Sequence, residues 1–290
     1  MAGIGVRLNK IFSKNTIATN LMGFGYSTVV TIAPMLVVIG AVLIMEYLLD
    51  FSKVGYIDRE LFSCTLLYIF IFGLLAAAPF NAVLSKYMSD VIYNETYADI
   101  IPCYYIGLIM NVGFGLLMAV PFCIHEYIVG KVPLYYVFTG FCGFLCLVLV
   151  FYSMLYLSIC KDYKRISEFF LIGMLVTIIL SLILNYLFKV KTTYAMLFSI
   201  TVGFFLIAVL ELSLVFSYFR ENSGKYKDVL MYFKKYWQLV GTNFLYTIGL
   251  YMHNFVFWAT DMHLVVVRSF VCMQPYDNDS KAYAIDRVIG

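Results

Sequence analysis

The sequence predicts an all-α, polytopic membrane protein, and three observations carry that prediction. Hydrophobic residues fill 63% of the 290 positions and charged residues only 13%, whereas soluble domains are about 45–50% apolar. Windows of about 20 residues without Lys or Arg recur along the chain, the length a helix needs to cross a hydrocarbon core. A spanning segment has no water to satisfy its backbone, so every N–H and C=O must pair within the segment, which selects helices. The mean hydropathy of +0.89 leaves no soluble domain between the spans. The net charge of +3 is small and its basic residues flank the spans, so it reports orientation and lipid headgroups and predicts no nucleic-acid partner.

Taken in order, residues 1–20 place Ile4, Leu8, Ile11 and Phe12 at helical spacing beside Arg7, Lys10 and Lys14. This reads either as a short interfacial helix or as a basic flank that fixes topology. The predicted spans are 21–49, 61–82, 101–124, 134–159, 168–188, 194–219 and 236–258. Lys and Arg number 12 in the N-terminus and the connections 83–100, 160–167 and 220–235, against 5 in 50–60, 125–133 and 189–193. The positive-inside rule therefore puts the N-terminus in the cytoplasm. The longest break is Arg220–Lys235, with five basic residues against two acids. Pro34 and Pro79 kink the first two spans, and the pairs Gly23/Gly25, Gly113/Gly115 and Gly140/Gly143 predict close helix packing.

Seven cysteines (Cys64, Cys103, Cys123, Cys142, Cys146, Cys160 and Cys272) lack metal-ligand spacing, and His125, His253 and His263 are scattered. They read as small apolar side chains, with no metal and no cofactor expected. Polar residues within spans are costly and face a bundle interior or water. In the seventh span Asn243, Thr247, Tyr251, Asn254 and Trp258 form one stripe, and Asn20, Ser27 and Thr31 a shorter one in the first. The two stripes either line a hydrophilic pathway or make ordinary interhelical hydrogen bonds. Asn111 is a further interior polar candidate. Glu211 is the one acid well inside a span, about 8 Å from the cytoplasmic edge at 1.5 Å per residue, and is a candidate for coupling to protons or cations, or for a structural hydrogen bond. Glu46 and Glu126 sit near the outer surface, where they can snorkel. Thr19-Asn20-Leu21 and Thr242-Asn243-Phe244 both follow basic stretches, which suits a parallel repeat of six-helix units.

The start MAGIG (Met1–Gly5), Gly25-Tyr26, Pro34, PFNAVLSKYMSDVIY (Pro79–Tyr93), Ile101-Pro102, KDYKRI (Lys161–Ile166), LIGMLV (Leu171–Val176), YFKKY (Tyr232–Tyr236) and LYTIGLYMHNFVFW (Leu245–Trp258) occur in an order that resembles the PelG family. These are transporters of Pel-type exopolysaccharide synthesis, related to MATE-like polysaccharide flippases. The resemblance implies a six-helix N-terminal lobe over 1–219, a cytoplasmic inter-lobe connection over 220–235, the first helix of a second lobe over 236–258 and a non-membrane tail over 259–290. It implies export of a hexosamine-rich polysaccharide, or its carrier, across the bacterial inner membrane by alternating access, without enzymatic chemistry. A cytoplasmic glycosyltransferase and other membrane subunits are the implied partners, beside the polysaccharide and the bilayer. Ser85, Lys86, Tyr87 and Asp90, expected on a cytoplasmic loop, either face such a partner or form a packed elbow. The chain departs from the family pattern near Gln274, where relatives continue into further helices. A truncated or frame-shifted product is therefore expected, non-functional or acting as a scaffold for the glycosyltransferase; a half-transporter that dimerises is the other form.

Overall fold

The computed structural model describes residues 17–160, 162–259, 264–267 and 270–273, with side chains described for 32–160 and 162–256. Helices α1 (Ile17–Leu48), α2 (Tyr56–Tyr93), α3 (Ile100–Ile128), α4 (Leu134–Ile159), α5 (Tyr163–Leu182), α6 (Thr192–Tyr218), α7 (Tyr226–Lys235) and α8 (Trp237–Ala259) follow one another through short connections. A single π turn, Ile183–Leu187, extends α5. Among the described residues, five segments are long and apolar enough to cross a membrane: Tyr56–Tyr93, Tyr97–Ile128, Leu134–Ile159, Tyr163–Leu187 and Thr192–Tyr218. The other two expected spans correspond to α1, apolar over Ile32–Leu48, and to α8, whose 23 residues are interrupted by the polar stripe.

Among the described residues, four connections place a non-glycine residue in the left-handed region: Asp50, Glu95, Lys131 and Lys189, with φ of 51°, 59°, 51° and 52°. Each follows the end of a helix by two or three residues, where glycine is the usual terminator. The α5–α6 turn is held by Asn185, whose Nδ2 donates to the Val190 carbonyl at 3.3 Å and to Thr192 Oγ1 at 2.9 Å.

Helix α6 is the hub, packed along α4 on one side and α5 on the other, while α2 contacts α3, α4 and α8, and α1 lies on α5. Small residues set the closest approach. A Cβ on Gly203 would stand 1.9 Å from Thr177 Oγ1, and one on Gly173 2.4 Å from Ile207 Cγ1. Thr177 donates to the Gly173 and Ser199 carbonyls at 2.9 and 3.2 Å, which couples α5 to α6 through the gap. Gly143 is tight against Thr201 Oγ1 at 2.8 Å, as the sequence suggests, whereas Gly113 has nothing within 4 Å. Pro121 joins Pro34 and Pro79 as a proline inside a helix.

Two segments read as loops are helical. Helix α2 is 38 residues long, about 57 Å at 1.5 Å per residue, against a hydrocarbon thickness of about 30 Å. Its last turns therefore leave the membrane as helix and carry Ser85, Lys86, Tyr87 and Asp90, so these four do not lie on a loop. The basic break contains α7, which buries Val229 and Phe233 and closes on the ends of α2 and α3. The Phe233 ring lies 6.1 Å from Phe80 and the Tyr232 ring 5.1 Å from Tyr87. Ser223 N–H donates to the Ala98 carbonyl at 3.0 Å, and Lys225 Nζ pairs with Asp99 at 3.2 Å. Amphipathic spacing of Val229 and Phe233, masked by the flanking charge, is the physical reason for the helix.

The departure from an all-α chain is a small antiparallel hairpin, Leu264–Val267 with Phe270–Met273, in register Leu264↔Met273 and Val267↔Phe270. Its run of valines favours an extended backbone, and it lies beside α2 and α8. Among the cysteines, Cys64 is disulfide-bonded, where the sequence reading gave it only an apolar role.

Candidate functional site

The polar stripe of α8 begins against α2. Asn243 Nδ2 donates to the Ala78 carbonyl, the one bonded to Pro79, and Thr247 Oγ1 donates back to the Asn243 carbonyl at 2.9 Å. Tyr251 is half-buried, and Asn254 Nδ2 lies 3.0 Å from His253 Nε2. The side chains of Ser27, Thr31 and Trp258 lie outside the described residues. Helix α8 also sets Phe244 against Phe114 at 5.9 Å and Phe255 against Phe72 at 6.2 Å. The first half of the stripe thus makes interhelical and intrahelical hydrogen bonds, while Leu245, Tyr246 and Leu250 stay exposed on the helix.

Glu211 and Asn111 are fully buried. Neither carboxylate oxygen of Glu211 has a hydrogen-bond partner among the described residues. Asn111 donates from Nδ2 to the Gly107 carbonyl at 2.8 Å, and its Oδ1 is left unpartnered. Buried polar groups in native structures are nearly always paired, so these atoms mark where a proton, a water or a ligand would satisfy the fold.

Beside them lies a tyrosine cluster that sequence reasoning missed. Tyr104 and Ser153 share a hydroxyl hydrogen bond at 2.9 Å, Tyr152 OH donates to the Tyr104 carbonyl at 2.5 Å, and Tyr152 and Tyr156 hydroxyls meet at 2.9 Å. Cys103 Sγ closes the chain, 3.6 Å from Tyr156 OH. The Tyr104 ring packs edge-on to Phe216 of α6 at 5.7 Å, and Glu211 lies on the same helix. Tyr152 and Tyr156 one helical turn apart were the available signal.

Glu126 is not the snorkelling residue its position suggested. It is 2% exposed and lines a cavity of about 320 Å³ between α2, α3 and α4, because α4 and Val132 close over the end of α3. At the opposite ends of these helices, Ser85, Lys86, Tyr87 and Asp90 lie under α7. Tyr87 is buried against Tyr232, Tyr232 OH donates to Asp90, and Lys86 Nζ sits 5.1 Å over the Tyr236 ring and 3.7 Å from Asp90. Partial burial, then the Asp90 hydrogen bond, raise the Tyr232 phenol above its ordinary pKa. Among the described residues no three His, Cys, Asp or Glu side chains converge as metal ligands.

A bundle of long apolar helices with unpartnered polar atoms at depth defines a polytopic membrane protein. The family model described as "PelG: Putative exopolysaccharide Exporter (EPS-E)" matches residues 1–281, and the chain belongs to that family. It is accordingly a membrane protein of exopolysaccharide export. The match runs past Gln274, where the chain was expected to leave the family pattern, into the tail. No curated protein and no solved structure matches the chain.

Proposed function

We propose that the protein exports a Pel-like, hexosamine-rich exopolysaccharide, or its carrier, across the bacterial inner membrane by alternating access. The family match over 1–281 is the observation that carries this reading. The N-terminus is cytoplasmic, α1–α6 form the N-terminal lobe of a MATE-like transporter, α7 belongs to the inter-lobe connection, and α8 opens the second lobe. The excess of 12 basic residues over 5 on alternate connections supports that orientation.

In this scheme Glu211 is the coupling residue, since a carboxylate fully buried in α6 is stable when it takes up a proton and costly when it does not. The later part of the α8 stripe, Tyr251, Asn254 and Trp258, with Ser27, Thr31 and Asn111, borders the polysaccharide path. Asn243 and Thr247 position α8 on α2 for that path. A glycosyltransferase partner meets the end of α2 through Lys86 and Asp90, whose side chains keep 39% and 48% exposure.

The test is secreted polysaccharide from the producing bacterium with the gene replaced by Glu211→Gln. Export falls by about tenfold or more at normal protein level, as loss of a charge-coupled step requires. Unchanged export would remove Glu211 from the mechanism.

A further inference from the structure

We infer that α7 is an anchor on the membrane surface, its exposed face taking the phosphate headgroups of anionic phospholipids. The inference does not depend on the export reading and starts from the two faces of a short helix. Val229 and Phe233 turn inward and are buried. Lys227, Leu230, Met231 and Lys234, at i, i+3, i+4 and i+7, share another face and are all exposed, Leu230 at 50% and Met231 at 54%. Residues at this spacing are neighbours on a helix surface, so two apolar side chains sit between two lysines.

Packing sets the depth of that face. The Phe233 ring lies 6.1 Å from Phe80, close to Ala82, where the second span is expected to end, and the Tyr232 ring lies 5.1 Å from Tyr87, farther along α2. Helix α7 therefore sits at the level where α2 leaves the hydrocarbon. Trp237, which opens α8 directly after it, is 67% exposed, and tryptophan at the end of a membrane helix settles at headgroup level.

Charge selects the occupant. Arg220–Lys235 carries five basic residues against two acids, Glu221 and Asp228, and neither acid falls on the i, i+3, i+4, i+7 face. Lys225 is paired with Asp99 at 3.2 Å, and Lys235 Nζ stands 5.1 Å over the Tyr236 ring. Among the described residues Lys227 and Lys234 make no ion pair. Exposed Leu230 and Met231 gain nothing from water, whereas at a bilayer they enter the acyl boundary while the lysine stems lie beside them and the ammonium groups reach phosphate. A basic amphipathic helix next to a membrane span is drawn to anionic lipid for these two reasons together. An acidic soluble protein would match the lysines alone, and it would have to displace lipid at headgroup depth to cover the apolar pair.

The chain has two tryptophans, Trp237 and Trp258, which makes a fluorescence test direct. With Trp237→Phe and Trp258→Phe in the full chain, Met231→Trp leaves one tryptophan, on the face in question. The protein is placed in nanodiscs of equal phosphatidylglycerol and phosphatidylcholine, with bromine near the headgroup end of the acyl chains of one lipid or of the other. Brominated phosphatidylglycerol quenches the fluorescence about twofold more than brominated phosphatidylcholine, and adding Lys227→Gln and Lys234→Gln brings the two values together. Equal quenching by both lipids before the lysines are removed, or an unchanged preference after, overturns the proposal. No quenching by either lipid, with acrylamide access equal to that of a tryptophan at the exposed position of Glu221, also overturns it and assigns the face to a soluble acidic partner. The wild-type chain decides the matter where a variant fails to fold: hydrogen exchange of the α7 amides slows by about threefold or more when phosphatidylglycerol replaces phosphatidylcholine, and an unchanged rate overturns the proposal.

Discussion

A Cβ added at Gly203 would meet the Thr177 hydroxyl at 1.9 Å and the Gly173 carbonyl at 3.0 Å. Thr177 cannot rotate away without losing its bonds to the Gly173 and Ser199 carbonyls. Gly203→Ala is therefore expected to destabilise the α5–α6 pair by about 1–3 kcal/mol, the usual cost of overpacking, measured by unfolding in a denaturing detergent. The reverse holds at Glu95, where φ is 59°. The left-handed conformation costs a side-chain-bearing residue about 1–2 kcal/mol, and glycine returns about 0.5–1 kcal/mol of that as chain entropy. Glu95→Gly should thus gain about 0.5–1 kcal/mol in the same assay. At this scale the sequence was half legible. It marked Gly143 as a packing residue, but it also marked Gly113, which has nothing within 4 Å, and did not single out Gly173 and Gly203, because what a glycine touches is decided by the opposing helix.

Helix α7 shows how an element can hide in a charged stretch. Five basic residues over Arg220–Lys235 made it read as a connection, yet Val229 and Phe233 anchor it to the ends of α2 and α3. Phe233→Ala should cost about 3–5 kcal/mol of docking and expose Lys227 and Lys234 to trypsin; unchanged cleavage would mean that α7 is held by other contacts. The pair of Tyr232 and Asp90 adds a pH limit. The folded-state pKa of Tyr232 is raised above its unfolded value, so its contribution is complete below the unfolded phenol value, about 10, and is lost only as pH rises through the folded value. Protection of α7 from trypsin is accordingly constant from about pH 6 to pH 9. The α8 boundary was legible to within a residue, because a polar stripe at helical spacing needs no tertiary information. The partner of Asn243 was not, since only packing reveals the Ala78 carbonyl beneath it.

Over the whole molecule, orientation gives the sharpest prediction. Cysteines introduced at Lys131 and Lys227 of an otherwise cysteine-free protein should react with membrane-impermeant maleimide from opposite sides, Lys227 only after the cells are opened. Labelling of position 227 from outside, with position 131 reached only after the cells are opened, would reverse the topology drawn from the basic residues. The cavity beside Glu126 and the buried Glu211 lie in different parts of the bundle, one among α2, α3 and α4 and the other in α6.

Composition and hydropathy by themselves determined that this chain is a helical membrane protein and placed most of its long helices, because apolar runs of fixed length have few alternatives in a bilayer; the family resemblance came from the order of short motifs along the chain. Tertiary structure decided the rest. It turned the basic break into α7 and the expected loop at Ser85–Asp90 into the end of α2, and it gathered Tyr104, Tyr152 and Tyr156 into one hydrogen-bonded cluster. It also took Glu126 from the outer surface to the wall of an aromatic cavity. Hydropathy records how apolar a segment is. Which neighbour covers a side chain depends on residues far away in the chain, and that information enters only when the helices pack.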